Sequence, residues 1–389
     1  MSIPFARISL DGNEMRYVRE VIESGWLTSA AKVQELERRF ARAVGCSHAI
    51  AVNSCTSALH LALEALGVEA GDRVLVPTMT FTATAEVIRY MQADPVFLDV
   101  EYGTCLLTPD ILREAVRRRP QAKTLIVVHY GGQAAGMLAG SGGPGIVAVC
   151  RENGIRIIED AAHAFPAREG DAMVGTLGDI ACFSFYANKT ITTGEGGMVT
   201  TASDDYAARM RVMRLHGIDR DIWSRFTAEK PSWEYDVVAP GFKYNMPDIN
   251  AAVGLAQLER AEAMRAERQR CARFYLDRLA DVPGLDLPRI RARHEDHAWH
   301  LFPVVLNERS SISRDRCIER LAEKGIGTSV HYKPLHRMTY YRKTYNLRPG
   351  DFPGAEKTWR GCISLPIYPS LKNEELEFVC RSIREIVGT

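Results

Sequence analysis

Residues 48–66 read HAIAVNSCTSALHLALEAL, in which a short apolar run is followed by a polar turn and then by apolar side chains at helical spacing. The same order of strand and helix recurs as far as residue 160, a pattern typical of parallel strands joined by crossover helices. The sequence therefore predicts an α/β protein with a mostly parallel central sheet. Its predicted strands cover residues 48–53, 73–77, 95–100, 124–130 and 156–160, and its helices include 56–66 and 109–119.

The rest of the chain predicts a second, smaller domain. Residues 248–279 form a charged, alanine-rich stretch with apolar side chains at helical intervals, which we expect to be one long helix. The other elements predicted after residue 160 are strands at 180–186, 196–201, 298–306 and 328–332 and helices at 313–324 and 373–387. We therefore expect a large α/β domain at residues 1–250 and a small C-terminal α+β domain at residues 251–389, with the long linking helix at its start.

Composition excludes several classes of protein. The 49 Lys and Arg residues nearly balance the 48 Asp and Glu residues of this 389-residue chain, so no global field attracts nucleic acid or an anionic membrane. The apolar runs are too short to span a bilayer. The nine cysteines stand singly, without the spacing of a metal site or a disulfide framework, which predicts no metal and a reducing, cytoplasmic location.

An acid and a lysine carry the first chemical signal. Asp160 ends an apolar strand, and a carboxylate there points into the crevice where α/β sheets bind ligands. Lys189 follows soon after in the segment FSFYANK. Enzymes that use pyridoxal 5′-phosphate (PLP) need one lysine for a Schiff base and one acid that stabilises the protonated pyridine nitrogen. Taken alone, Asp160 is equally explained as a helix cap and Lys189 as a solvated charge.

Four further features of the sequence are consistent with the same chemistry. NSCTSA at residues 53–58 joins a strand to a helix, and the backbone N–H groups there suit a phosphate, although a simple Ser/Thr cap explains the segment as well. Phe81 follows a strand and is placed to stack on an aromatic ring, or else belongs to the core. His163 is placed to hydrogen-bond such a ring, or else is structural. A glycine-rich turn at residues 192–197 lies near Lys189 in the sequence.

Taken in order, these segments resemble the DegT/DnrJ/EryC1/StrS family of sugar aminotransferases, a branch of the fold-type I PLP enzymes. The resemblance covers almost the whole chain. The matching segments are GWLTS at 25–29, NSCTSA at 53–58, EDAAHA at 159–164, SF at 184–185 before Lys189, TGEGG at 193–197 and GFKYNM at 241–246.

The resemblance implies a role for each matching residue. Lys189 is the Schiff-base lysine and proton shuttle, and Asp160 contacts the pyridine nitrogen. Phe81 stacks on the ring, and His163 lies near its face or its 3′-oxygen. The remaining cofactor contacts implied are to the phosphate, from Cys55, Thr56 and Ser184.

Family members also pair as homodimers that share their active sites. The contact across the interface is commonly made by an Asn of the segment that here reads Lys243-Tyr244-Asn245. Many relatives read Asn-Tyr-Arg at these positions. The resemblance therefore implies a phosphate contact from either Lys243 or Asn245 of the neighbouring subunit.

The form of the later motifs resembles one subgroup. KYNM at 243–246, HAWHLF at 297–302 and GIGT at 325–328, followed by His331-Tyr332, look most like enzymes that aminate C4 of UDP-4-keto sugars, including the 4-amino-4-deoxy-L-arabinose type. This resemblance implies L-glutamate and a nucleotide-diphosphate keto sugar as substrates. We predict substrate contacts from Thr28, His331, Tyr332 and His336.

Three alternatives stay open on the sequence alone. The chain resembles C3 keto-sugar aminotransferases less closely than the C4 subgroup. Lysine and aspartate alone do not separate transamination from other fold-type I reactions. A regulatory relative without catalysis is a further alternative, and the presence of both Asp160 and Lys189 disfavours it.

Overall fold

The structure is a computed structural model that describes residues 2–140, 143–219, 234–291 and 293–388. Its centre is a seven-stranded sheet with the strand order β1-β9-β8-β5-β4-β2-β3. Six strands run in one direction and only β9 runs against its neighbours β1 and β8. The strands are β1 His48–Val52, β2 Arg73–Pro77, β3 Asp94–Leu98, β4 Thr124–Val128, β5 Arg156–Asp160, β8 Ile180–Ser184 and β9 Gly197–Thr201. This confirms the predicted α/β class and the mostly parallel sheet.

Helices cover both faces of this sheet, and the alternation of side chains along each strand shows why. In β4, Ile126 packs on one face with α3, whereas Leu125 and Val127 pack on the other with α5 and α6. A strand buried on both sides needs a continuous apolar run, and TLIVV supplies one. The helices of this part are α1 Glu14–Ser24, α2 Ala31–Val44, α3 Cys55–Ala65, α4 Ala83–Tyr90, α5 Pro109–Arg118, α6 Ile146–Glu152 and α7 Asp204–Met213, and a two-stranded hairpin is formed by β6 Arg168–Glu169 and β7 Ala172–Met173.

The C-terminal part forms its own antiparallel sheet, with the order β10-β11-β12. Its hydrophobic core includes Tyr275, Phe302 and Ile383, and Ile3 from the start of the chain also packs there. The elements are α8 Asp248–Glu259, α9 Ala261–Leu279, β10 Leu285–Asp286, β11 Phe302–Leu306, α10 Arg314–Glu323, α11 Thr339–Thr344, α12 Pro353–Gly361, β12 Cys362–Leu365 and α13 Asn373–Val387.

Three sequence predictions in this part were wrong in detail. The long helix expected at 248–279 is interrupted at Arg260, whose backbone leaves the helical region. The predicted strand at 298–306 begins only at Phe302, because the preceding residues form a tight turn. The strand expected at 328–332 is reduced to one bridge between Ser329 and Ser364. The domain boundary at residue 250 stays a prediction.

Within the described residues, no helix is both long and apolar enough to cross a membrane.

Candidate active site

The carboxyl ends of the parallel strands border a cavity of about 440 Å³. Loops after β2, β5 and β8 reach this edge, as do the end of β4 and the start of α3, so side chains far apart in the sequence meet there. The cavity brings together nine of the residues predicted from the sequence, namely Cys55, Thr56, Phe81, Asp160, His163, Ser184, Lys189, His331 and Tyr332.

Asp160 is a buried carboxylate with two hydrogen-bond donors. Thr84 Oγ1 donates to one oxygen at 2.8 Å, and the N–H of Ala162 donates to the other at 3.1 Å. Burial raises its pKa above the ordinary value, and these two donors and the nearby Lys189 only partly oppose that effect. Each oxygen still has acceptor capacity, so the carboxylate can take a further positively charged or N–H group.

Lys189 lines the same cavity. Burial lowers the pKa of its amine to about 8, although Cys55 and Asp160 act in the opposite direction. An amine with this pKa is neutral in a substantial fraction of molecules at mildly alkaline pH, and the neutral form is the nucleophile. The pair can therefore combine a reactive amine with a carboxylate in one cavity.

His163 is held at both ring nitrogens. The N–H of Gly131 donates to Nδ1 at 3.3 Å, so the proton of the neutral ring belongs on Nε2, which contacts the Tyr332 hydroxyl at 2.9 Å. Burial lowers the pKa of His163 well below its ordinary value, and the nearby Lys189 and His331 add to this effect. His163 is therefore a neutral hydrogen-bonding ring in the cavity wall.

The start of α3 supplies an anion site and is also a capped helix end. Ser54 Oγ accepts the N–H of Ser57 at 3.1 Å, as the simple cap interpretation predicts. The N–H groups of Cys55 and Thr56 belong to the first turn, where no carbonyl of the helix can accept them. The backbone of Ser54 also lies so near β9 that a Cβ at Gly197 would come within 2.6 Å of it. Glycine is required there to let the loop reach the cavity.

Phe81 stands in the cavity wall with 58% of its surface exposed, so the alternative of a core phenylalanine is wrong. Its ring centroid is 6.0 Å from that of Tyr332. Ser184 at the end of β8 completes the same wall, and its Oγ accepts the N–H of Tyr186 at 3.3 Å.

Three predicted residues lie outside this cavity, on neighbouring parts of the surface. Asn245 Nδ2 donates to Ser29 Oγ at 2.7 Å, and the backbone oxygen of Lys243 accepts from Asn53 at 3.3 Å. Thr28 is exposed, and its carbonyl accepts the N–H of Asp248. The contact from Lys243 or Asn245 to a second subunit and the substrate contact from Thr28 stay predictions.

His336 corrects one prediction. We expected a substrate contact, but the ring is fully buried, with Nδ1 2.8 Å from Thr78 Oγ1 and Nε2 2.7 Å from Glu356. Arg337 pairs with the same Glu356. Because both ring nitrogens are occupied, His336 links the loop after β2 to α12 and has no atom free for substrate.

Sequence reasoning missed several residues of the cavity, among them Thr84 and His300. Thr84 holds Asp160 although 76 positions separate them, and no local pattern signals such a pairing. His300 lies in the segment HAWHLF, which carried part of the resemblance, yet no role was assigned to it. Within the described ranges, no group of three or more His, Cys, Asp or Glu side chains could hold a metal ion.

Comparisons with known proteins agree with this geometry. Residues 9–384 match the DegT/DnrJ/EryC1/StrS aminotransferase family. The spore coat polysaccharide biosynthesis protein SpsC of Bacillus subtilis is 40% identical over 389 residues, covering 99% of this chain and 97% of SpsC.

Two solved structures show the same fold over the whole chain. The putative sugar aminotransferase Spr1654 from Streptococcus pneumoniae, in its PLP form, superposes with a TM-score of 0.89 at 28% identity, covering 100% of this chain and 98% of that one. The aminotransferase TlmJ from Streptoalloteichus hindustanus gives a TM-score of 0.88 at 30% identity, with 99% of each chain covered. This chain therefore belongs to the DegT/DnrJ/EryC1/StrS aminotransferase family, and is a PLP-dependent sugar aminotransferase of fold-type I.

Proposed function

We propose that this aminotransferase takes its amino group from L-glutamate and transfers it to C4 of a nucleotide-linked keto-deoxy sugar, with a UDP-linked sugar as the first candidate. The product is an amino sugar for polysaccharide, lipid A or glycoside biosynthesis. The observation that carries the proposal is the shared cavity of Lys189, Asp160 and His163. The name of SpsC, a relative assigned to spore coat polysaccharide biosynthesis, supports a product of this class.

The residues of the cavity fit PLP by the chemistry of their free groups. Asp160 has unused acceptor capacity for a protonated pyridine nitrogen, and Lys189 offers an amine. The N–H groups of Cys55 and Thr56 suit a phosphate, and the exposed ring of Phe81 suits an aromatic face. When bound, PLP supplies an aldehyde that captures amines and a ring that accepts electrons.

Lys189 carries the proton in this proposal. The α-carbon of glutamate would be acidified by electron withdrawal into bound PLP. The Lys189 amine, whose pKa is about 8 in the free protein, would then take that proton and, as an ammonium, return it to the cofactor carbon that carries the amino group. The Asp160 carboxylate would stabilise the positive charge on the pyridine nitrogen, toward which the electrons from the α-carbon are drawn. The reverse sequence of proton transfers delivers the amino group to the sugar.

The other predicted residues bind and orient. His163 donates from Nε2 to the Tyr332 hydroxyl, and we propose that His331 and Tyr332, which line the same cavity, contact the sugar. We propose that Thr28 contributes to the nucleotide sugar site. We also propose a homodimer in which Lys243 or Asn245 of one subunit contacts the phosphate in the other, because these residues lie outside their own cavity.

Amination at C4 rather than C3 rests on the form of the KYNM segment and of His331-Tyr332. A C3 keto sugar is the second candidate. Other reactions of PLP enzymes are disfavoured by the family. The nine cysteines, all free thiols, support a cytoplasmic location.

One variant tests the role assigned to Lys189. We expect Lys189→Ala to lack the absorption band of lysine-bound PLP. We also expect its rate of amino transfer to fall by at least about a thousandfold, since proton transfer and nucleophilic capture are both removed. The matched control is Lys343→Ala, because Lys343 is exposed on α11. Wild-type turnover by Lys189→Ala contradicts the assignment.

A substrate panel tests the rest of the proposal. Purified protein with PLP is mixed with L-glutamate and then with UDP-, dTDP- and GDP-linked 4-keto sugars, each beside its 3-keto counterpart. We expect a spectral change to the amino form of the cofactor with glutamate, followed by recovery only with 4-keto sugars. Recovery only with 3-keto sugars replaces the C4 proposal, and no response to glutamate contradicts the donor.

A further inference from the structure

The segment at residues 298–301 turns at His300, and this turn is attached to the loop that follows β4. The N–H of Ala298 donates to the carbonyl of Gly132 at 2.8 Å, and that of Leu301 donates to Gly131 at 3.1 Å. Gly132 has a φ of +110°, and a Cβ there would lie 2.9 Å from the nitrogen of Trp299. The two segments therefore approach as closely as backbone allows, which requires glycine on one side.

The turn is held in a conformation that its sequence does not favour. Trp299 has a φ of 49°, in the left-handed region that a bulky side chain rarely adopts. Its ring is fully buried and stacks on His297 at 4.0 Å. The buried Arg268 donates to the carbonyl of Ile367 at 2.9 Å and to that of Trp299 at 3.4 Å. Backbone strain of this kind persists where the surroundings enforce it, and it clusters at functional sites.

The contacts of this turn determine the position of the His300 side chain. Its ring centroid lies 4.4 Å from that of His163, and the side chain lines the cavity together with Lys189. Only 5% of His300 is exposed, and its Nδ1 is buried without a hydrogen-bond partner among the described residues. Packing and the shape of the turn hold this ring in place, with no hydrogen bond at Nδ1.

His163 needs such a contact. Its hydrogen bonds to Gly131 and Tyr332 lie at Nδ1 and Nε2, and together they define an axis through the ring. Rotation about that axis changes the tilt of the ring while moving both bonded nitrogens little. The Cβ–Cγ bond opposes this rotation, because Cγ lies off the axis, and packing against the ring opposes it further. His300 supplies such packing, with its ring tilted by 39° to that of His163.

We propose that His300 is a positioning residue that fixes the tilt of His163 and keeps water from its face. The catalytic importance of this contact rests on the proposed function, but the effect of His300 on the His163 ring can be tested without any substrate. Burial lowers the pKa of His300 well below its ordinary value, and the nearby groups His163, Lys189, Arg268 and His331 all add to this effect.

The first test uses protein without PLP. In histidine-labelled protein, NMR signals of the His163 ring are assigned by their loss in His163→Asn. We expect His300→Ala to move these signals and to raise the pKa of His163 toward its ordinary value, because water then reaches the ring. Leu321→Ala is the matched control, since it truncates a fully buried side chain in the other core. Unchanged His163 signals in folded His300→Ala overturn the proposal.

The second test separates positioning from mere stability. The half-reaction of bound PLP with L-glutamate is followed for His300→Ala, His163→Ala and the double variant. We expect His300→Ala to slow it about tenfold in the wild type and less than about twofold when His163 is absent, as coupled residues behave. Equal losses in both backgrounds overturn the proposal. A wild-type protein that does not react with glutamate counts against the proposed function instead, and the NMR result still stands.

A conservative variant tests which feature of His300 matters. His300→Phe keeps a flat ring and removes the nitrogens, and we expect it to restore most of the rate and the NMR signals of His163. Because Nδ1 has no partner, the ring alone should suffice. If His300→Asn restores the rate and His300→Phe does not, a nitrogen contact is at work and the proposal is wrong.

Discussion

Glu159 and Asp160 are adjacent on β5 and both buried, but their pKa values are shifted in opposite directions. Burial raises the pKa of both carboxyl groups. At Glu159 the hydrogen bonds from His129 and from the N–H groups of Gly178 and Gly175 outweigh burial, and the pKa lies below its ordinary value. At Asp160 burial prevails and the pKa lies above it.

The difference lies in the number of donors. Glu159 takes four: Oε2 accepts from His129 at 2.9 Å and Gly175 at 3.1 Å, and Oε1 accepts from Leu177 at 2.9 Å and Gly178 at 2.7 Å. Asp160 takes two, which leaves one position on each oxygen. Successive residues of a strand face opposite sides of the sheet. The Glu159 carboxylate therefore has all its hydrogen bonds on one side, and the Asp160 carboxylate on the other side can still accept a ligand.

The largest expected effect is that of Asp160→Asn on amino transfer. The amide keeps the shape of the side chain and loses the charge that favours a protonated ring nitrogen, so we expect a loss between about a hundredfold and a thousandfold. Stability should change by less than about 1 kcal/mol, because Thr84 can turn its hydroxyl toward Thr80, 2.7 Å away, and accept from the new amide. Stopped-flow absorbance and thermal unfolding measure the two quantities. A wild-type rate of amino transfer in Asp160→Asn would contradict the role assigned to the Asp160 carboxylate.

Glu159→Gln should show the reverse pattern, a large loss of stability with little loss of rate. Each oxygen of Glu159 accepts two donors, so whichever end becomes NH₂ faces N–H groups, and we expect a loss of about 3 kcal/mol in the free energy of unfolding. The folded fraction should transfer amino groups within about threefold of the wild-type rate, since the residue does not line the cavity. Urea unfolding gives the first quantity. A stable variant with a large rate defect would reverse the two assignments.

Thr84→Val should have a smaller effect, confined to the Asp160 side. It removes the hydroxyl that donates to Asp160 at 2.8 Å, and a hydrogen bond to a charged group contributes about 1.5 to 3 kcal/mol, so we expect a loss of rate between about tenfold and about a hundredfold. The pKa of Asp160 should rise further. Thr84→Ser, which keeps the hydroxyl, is the control and should restore the rate. Equal rates for Val and Ser would mean that Ala162 alone holds the carboxylate.

Local patterns predicted much of this fold. The strand Arg156–Asp160 and the C-terminal helix Asn373–Val387 were placed with their observed bounds, because unbroken apolar runs and helical spacing both act within a few residues. The break at Arg260 and the turn before Phe302 were missed, since both depend on packing against distant segments.

The same limit applies to the cavity. Asp160 and Lys189 were recognised because the segments around them match one family in order, whereas each residue taken alone has a structural explanation. The donors that distinguish Asp160 from Glu159 come from other parts of the chain, as Thr84 does. His336 was misassigned for the same reason, because only the fold shows that Thr78 and Glu356 occupy its ring.

The finest test of the comparison is the pH dependence of PLP capture by the free protein. The neutral amine of Lys189 is the reacting form, so the rate should rise with pH and level off above about 8, the pKa set mainly by burial. Asp160 favours the ammonium form, so Asp160→Asn should lower that pKa and move the midpoint to lower pH. Glu159→Gln should leave the midpoint in place. The ionisations of free PLP are common to all three proteins, so differences between their curves belong to the protein. If both variants move the midpoint equally, Glu159 acts on the Lys189 amine as strongly as Asp160 does. The number of hydrogen-bond donors would then not explain the different roles of the two carboxylates.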